Sequence, residues 1–395
     1  MIQNIVGRPV SGKDMYDREN VLEEVWKAIK KNEHVLLVAP RRFGKTSIMF
    51  KLWKEPKEGY KVFYLDVEWI REPQDFVAEI LVELSNDKEM RDKMRKFVPG
   101  KFSFLKLIEE IGIATFKVKL REELSKEWEN KGKEIFEAIE SSDIKIVFII
   151  DEFPVMIHEM CEKDKNVVKT LLHWMRRVRQ NSQNVMFVVG GSIGIDRILS
   201  KIDAFHTIND LTKISVGAFD KVTARNFVSE LFKSEDIEIN EEITDKILEI
   251  SGTYIPYFIQ LVVYETVKES QNQKCEISKD FVEKIYEEKV LGVECQTYFE
   301  DYYQRLRRYY EPIEEKDAKE ILKGLAMNEY IGKKELYNFY LSLNQTSKNP
   351  EEEFSLLMGD LENDFYVKFD YENDSYSFYS KVLKDWWKRY YLLTE

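Results

Sequence analysis

The chain has 395 residues, of which 33% are charged and 44% hydrophobic, with a formal net charge of −12. That length is too great for one core and predicts two or three domains, while the apolar share excludes global disorder. The acidic balance excludes an overall basic footprint, so any nucleic-acid contact would need a local patch.

The first predicted strand covers 34–39 and leads into Ala39-Pro40-Arg41-Arg42-Phe43-Gly44-Lys45-Thr46. This is the spacing of a phosphate-binding P-loop, with Ala in the first glycine position. A turn between strand and helix can point successive backbone N–H groups at a phosphate, and the helix N-terminus adds favourable dipole charge. Lys45 is then expected to reach the β- and γ-phosphates and Thr46 to offer its hydroxyl to Mg²⁺. Gly44 sits where the backbone must approach the phosphate closely or take a positive φ.

A second strand is predicted at 62–67. The charged stretch 88–143 follows, and the alternation of Phe116, Val118 and Leu120 with Lys117 and Lys119 suggests a half-exposed strand in an insertion at the sheet edge. The run 145–150 is continuously apolar and rich in β-branched residues, as suits a central parallel strand buried on both faces. It ends in Asp151-Glu152-Phe153-Pro154. The first carboxylate is placed to hold a Mg²⁺ shell, and the second to orient or deprotonate a water. Further strands are predicted at 185–190 and 212–216, giving an α/β layer fold with a parallel sheet.

Residues 219–290 show helical spacing without a strong strand, for example Ile243, Ile247 and Ile250, and read as a small helical lid. Three helices follow near 316–327, 333–343 and 350–363. Two short strands then flank Glu372-Asn373-Asp374, which suggests a winged helix. The expected domains are 1–217 (P-loop core, with 88–143 inserted), 218–292 (lid) and 293–395 (winged helix).

With these motifs in place, the first 265 residues resemble the archaeal-type P-loop ATPases, a group within or close to the STAND and AAA+ ATPases. Met15-Tyr16-Asp17-Arg18-Glu19, after Gly7-Arg8-Pro9-Val10, is similar to the group's F-x-G-R-E motif, with Asp17 in place of Gly. The loop through Ser47 is similar to G-P-R-R-x-G-K-T-S, and Asp151-Glu152-Phe153-Pro154 matches D-E-F-P. The resemblance implies that Mg-ATP binds through Arg18, Pro40, Arg41, Arg42, Phe43, Gly44, Lys45, Thr46 and Ser47, with Arg18 near the adenine. It implies that Thr46 and Asp151 hold the metal. It also makes Val185–Gly191 a sensor strand ending in Ser192, which could touch the γ-phosphate or the water, and Pro256 in the lid an adenine contact. Lys45, Asp151, Glu152 and Ser192 are the expected catalytic residues.

Other features bound the function. No N-K-x-D signature follows the acidic strand, so guanine is not favoured. Cys161, Cys275 and Cys295 form neither a metal spacing nor a disulfide framework. The four histidines, His34, His158, His173 and His206, show no paired metal spacing and are expected to be structural. Met1-Ile2-Gln3-Asn4-Ile5 is not a charged leader and no apolar run approaches the ~18 residues of a membrane span, which gives the expectation of a cytoplasmic protein without membrane contact. Arg176, Arg177, Arg179 and Arg197 are candidates for reaching a neighbouring subunit's nucleotide, with a solvated basic face as the alternative.

Residues 301–395 carry 14 Lys or Arg against 19 Asp or Glu, and the presumptive recognition helix bears Glu351, Glu352, Glu353, Asp360, Glu362 and Asp364. Phosphate contacts dominate protein–DNA affinity, so this charge favours a protein partner or another copy of the chain. The expected function is an ATPase acting as a nucleotide-dependent switch or remodelling motor, its state relayed to the winged helix. The alternatives are a DNA-binding AAA+ protein resembling the replication initiators, or a nucleotide-locked interaction protein with little turnover.

Overall fold

The computed structural model describes residues 2–10, 12–97, 120–125, 127–191, 194–343 and 348–391. The chain divides into two compact units, Pro9–Val216 and Gly217–Glu395, the second taking in Met1–Arg8.

In the first unit the elements run α1 (Glu19–Lys30), β1 (His34–Val38), α2 (Lys45–Lys54), β2 (Tyr60–Asp66), α3 (Pro73–Asn86), α4 (Lys88–Phe97) and α5 (Trp128–Glu140). They continue with β3 (Lys145–Asp151), α6 (Phe153–Cys161), α7 (Lys165–Asn181), β4 (Val185–Gly190), α8 (Ile195–Lys201) and β5 (Leu211–Ser215). The five strands form one sheet in the order β2-β3-β4-β1-β5, and every pairing is parallel. All five predicted strands are present. β3 and β4 are buried along nearly their whole length, which is why they read as continuous apolar runs rather than alternating ones. Phe148 of β3 stacks on Phe187 of β4 with ring centroids 5.8 Å apart and lies 5.7 Å from Phe63 of β2, forming the aromatic centre of the sheet.

Helix α7 shows how a covering helix is specified. Val168, Leu171, Leu172, Met175 and Val178 recur at three- and four-residue spacing and are buried, and Asp164 caps the N-terminus by accepting from the Asn166 N–H. In the stretch expected to be an insertion, α4 and α5 are helices. Phe116 and Val118 of the expected strand lie outside the described residues, and Leu120 is buried in a helical turn, not a strand. Lys117 and Lys119 also lie outside the described residues, and alternation over so short a run does not by period alone separate a strand from a helix.

The second unit begins with four helices, α9 (Lys221–Lys233), α10 (Glu241–Ser251), α11 (Pro256–Gln273) and α12 (Lys279–Ile285). Asp220, Asn240 and Ser278 cap α9, α10 and α12. It continues with α13 (Gln296–Tyr309), α14 (Pro312–Met327), β6 (Ile331–Gly332), α15 (Lys333–Leu343), α16 (Pro350–Asn363), β7 (Val367–Asp370), β8 (Ser375–Phe378) and α17 (Lys381–Tyr391). The three helices near the expected bounds are there, and the expected two-stranded ribbon gains a third strand. β6 pairs antiparallel with β8, Ile331 opposite Tyr376, to give the order β6-β8-β7. Two residues are too few to show an alternating pattern in sequence.

The division expected at 292 does not coincide with a division in packing. Phe258 of α11 stacks on Phe299 of α13 at 5.6 Å, and Phe299 in turn on Trp386 of α17 at 5.6 Å. The Tyr286 hydroxyl donates to Asp385, and the Thr253 hydroxyl to the Tyr379 carbonyl. Aromatic residues from both sides of 292 thus share one core.

Candidate functional site

The loop between β1 and α2 is shaped by two positive φ values. Gly44 takes φ 86° and the non-glycine Arg42 φ 74°. A Cβ on Gly44 would meet nothing within 4 Å, so the backbone conformation, not crowding, is what asks for glycine there. The helix starts immediately afterwards, with the Ile48 N–H donating to the Gly44 carbonyl at 3.0 Å, so the N–H groups of its first turn have no intrahelical partner. Ser47 faces the chain before α1, and its hydroxyl accepts from the Val10 N–H at 3.1 Å.

The centre of the site is Asp151 at the C-terminal end of β3. It is buried, and its carboxylate accepts four hydrogen bonds. Lys45 Nζ and the Glu152 N–H donate to Oδ1 at 2.5 and 3.0 Å; the Thr46 and Tyr64 hydroxyls donate to Oδ2 at 2.8 and 3.1 Å. The Lys45 and Asp151 side chains are 6% and 3% exposed, so this is a buried ion pair whose desolvation is offset by charge-assisted bonds. The strand order makes the convergence possible although the two motifs are a hundred residues apart: β4 lies between β1 and β3, and Gly190 at its end leaves room. A Cβ on Gly190 would come within 2.9 Å of the Leu37 carbonyl oxygen and 3.2 Å of Lys45 Cδ. A side chain there would block the path of the lysine stem to Asp151.

Glu152 has φ 59° and forms the N-terminal boundary of α6, with Pro154 in the first turn. A left-handed glutamate is an uncommon conformation, and here it turns the chain sharply at the strand end. The Arg18 guanidinium, buried at the start of α1, donates to the Phe43 carbonyl at 3.2 Å, and burial lowers its pKa to about 10. It is therefore held on the loop, a contact that the adenine expectation did not include. Pro40 and Phe43 are buried, while Arg41 and Arg42 are half-buried. Pro256 lies in the second unit, in the first turn of α11. Ser192 lies outside the described residues.

The arrangement fits a hard cation shared with phosphate oxygens. Its donors are one carboxylate and one hydroxyl, and among the described residues there is no group of three or more His, Cys, Asp or Glu able to hold a metal alone. Mg²⁺ is bound in this way, through one or two protein oxygens with water and phosphate completing the shell.

Sequence reasoning missed Tyr64, because its place on a strand expected from apolar content carries no sign of the carboxylate two strand positions along. Arg179 is buried and pairs bidentately with Asp210 at 2.7 and 2.9 Å, which removes it from the arginines able to reach another subunit. Arg177 on the same helix is exposed. His34 is buried with both ring nitrogens engaged, by the Phe187 N–H and the Arg179 carbonyl, a structural role. No helix among the described residues is long and apolar enough to cross a membrane.

Comparison with solved structures supports the fold. The Walker-type ATPase of Pyrococcus abyssi superposes with a TM-score of 0.70 at 16% identity, over 98% of this chain and 99% of that one. The ORC2 protein of Aeropyrum pernix, in its ADPNP–ADP complexes, gives a TM-score of 0.55 at 11% identity over 97% of each chain. No curated protein sequence matches the chain. A family model described as an ATPase domain predominantly from Archaea matches residues 15–262, and the chain, whose loop 39–47 and Asp151 lie within that span, belongs to this family of ATP-binding P-loop ATPases.

Proposed function

We propose that the protein holds Mg-ATP on loop 39–47, with Lys45 on the β- and γ-phosphates and Thr46 and Asp151 on the metal. Hydrolysis then serves as a nucleotide-dependent switch or remodelling motor. The observation that carries this reading is the convergence of Lys45 and Thr46 on the two oxygens of Asp151. Bound there, Mg²⁺ supplies positive charge against the phosphate oxygens. The chain's own residues do the rest. The first-turn N–H groups of α2 and the Lys45 ammonium bind and neutralise phosphate. Glu152, at the end of β3, accepts the proton of a water that attacks the γ-phosphorus while the bond to the β-bridging oxygen breaks, releasing ADP and phosphate.

The helix–strand–helix–helix–strand–strand order of 312–378 is read as a winged helix to which nucleotide state is relayed. Glu351, Glu352 and Glu353 are exposed in the first turn of α16, so its surface is repulsive to DNA phosphate and suits a protein partner or a second copy of the chain.

The test is a pair of variants. Lys45→Ala is expected to lose ATP binding and turnover together, and Glu152→Gln to keep ATP while losing turnover. Undiminished phosphate release by Lys45→Ala would falsify the reading. A gel-shift titration addresses the partner: affinity for DNA with a steep salt slope would overturn the preference for protein.

A further inference from the structure

An ionised carboxylate offers about four lone-pair sites. In Asp151 all four are taken, two on each oxygen, by Lys45, the Glu152 N–H, Thr46 and Tyr64. Three of these donors follow from the motifs of the loop and the strand end. The fourth comes from a different strand, β2, and from a residue that no motif includes.

Tyr64 is fixed for this contact. β2 and β3 run in register with Asp66 opposite Asp151, so Tyr64 is a diagonal neighbour of Asp151, two residues back along β2. Its ring is clamped by Phe50, edge-on at 5.0 Å, and by Trp53, stacked at 5.6 Å and 30°. Both belong to α2, the helix that opens with Lys45 and Thr46. A phenylalanine would fill the same space, so what tyrosine adds is the hydroxyl, and that hydroxyl donates to the one carboxylate at the centre of the site.

We propose that Tyr64 is a positioning residue for Asp151. It holds Oδ2 together with Thr46, so that Oδ1 is the oxygen freed for the metal when Lys45 turns from Asp151 to phosphate. Without the hydroxyl the carboxylate can rotate, and its preference for one metal-facing oxygen weakens. This rests on the reading of Asp151 as the metal-holding carboxylate.

The test measures ADP affinity by calorimetry with Mg²⁺ and with EDTA, in full-length wild type, Tyr64→Phe, Trp53→Leu and Asp151→Asn. The readout is the factor by which Mg²⁺ tightens ADP. Loss of one charge-assisted hydrogen bond predicts that Tyr64→Phe lowers this factor about tenfold while leaving the EDTA affinity within about twofold. Trp53→Leu, which loosens the ring and keeps the hydroxyl, is expected to lower it less. An unchanged factor in Tyr64→Phe, even with a lowered melting temperature, overturns the proposal, as does an equal loss in Trp53→Leu, which would assign the effect to packing. Asp151→Asn separates the two readings. If it keeps the wild-type factor, the metal role of Asp151 fails. If it loses the factor and Tyr64→Phe does not, only the role of Tyr64 fails.

Discussion

Gly191 and Pro154 compete for the same space: a Cβ on Gly191 would fall 2.3 Å from Pro154 Cδ and 2.9 Å from its Cγ, with the Glu152 Cα 3.5 Å away. The segment leaving β4 thus packs directly on the start of α6, and the two strand ends beside the loop are built as one piece. A side chain on Gly191 would have to displace the rigid Pro154 ring, which cannot give way as a flexible side chain would, and so would shift one segment against the other.

Gly191→Ala is therefore expected to cost about 1–3 kcal/mol of stability, the usual penalty for overpacking a filled site. The larger effect falls on chemistry. Moving the Pro154 turn moves Glu152, the residue proposed to accept the water's proton, and a small misplacement of a group in that role costs on the order of a hundredfold in rate. The expected outcome is turnover reduced far more than ATP affinity, read by phosphate release alongside nucleotide titration. Equal losses in both, tracking the melting temperature, would mean that the contact is structural only.

Much of this was legible in the sequence because it depends on local pattern. The β1 loop and the end of β3 are recognisable since each needs particular residue types at fixed spacing, and the three central strands β1, β3 and β4 since burial on both faces writes itself as continuous apolar residues, whereas the edge strands β2 and β5 are only partly buried and mix polar residues in. What was hidden depends on which strands become neighbours. Tyr64 reaches Asp151 only because β2 lies beside β3, and Gly190 matters only because β4 lies between β1 and β3. Arg179 looked like its neighbours on a basic helix until its side chain was found folded inward on Asp210. The pairing of a helix residue with a loop thirty positions away leaves no periodic trace.

The arginines of α7 give a second prediction. Arg179 donates to both carboxylate oxygens of Asp210 and also to the Thr207 carbonyl; burial raises the Asp210 pKa, but the hydrogen bonds and the charge of Arg179 outweigh it and lower it. Arg179 is buried and Asp210 is part-exposed, so losing these charge-assisted hydrogen bonds in Arg179→Ala is expected to destabilise by about 1.5–3 kcal/mol. Arg177→Ala, on the exposed face, is expected to stay within about 0.5 kcal/mol of wild type. Denaturant unfolding of the two variants checks this. Equal stability of both would show that the Arg179–Asp210 pair contributes nothing, and a turnover defect in Arg177→Ala at wild-type stability would mark it as an arginine acting on a neighbouring nucleotide.

The third prediction concerns acid. His34 Nδ1 accepts from the Phe187 N–H at 3.1 Å, and Nε2 lies 3.2 Å from the Arg179 carbonyl. A backbone N–H can only donate and a carbonyl only accept, so the ring is held as the neutral tautomer with its proton on Nε2. Burial lowers its pKa to about 4, and the nearby Arg179 charge acts in the same direction, while the bond to the Arg179 carbonyl and the Asp210 charge oppose it. In the unfolded chain an imidazole titrates near 6.5. Between these values the unfolded state binds a proton that the folded state does not, so stability is fully present above about pH 6.5 and is lost as pH falls toward 4. A shift of this size corresponds to on the order of 3 kcal/mol. His34→Gln removes the titrating group, and its stability is expected to fall less steeply than that of wild type across this window, although it starts lower at neutral pH for want of the buried hydrogen bonds. Urea unfolding of both proteins at half-unit steps from pH 7 to pH 4 measures the difference in slope. Parallel curves would mean that His34 takes up its proton equally in both states, and the neutral, hydrogen-bonded histidine between β1, β4 and α7 would not be a source of acid sensitivity.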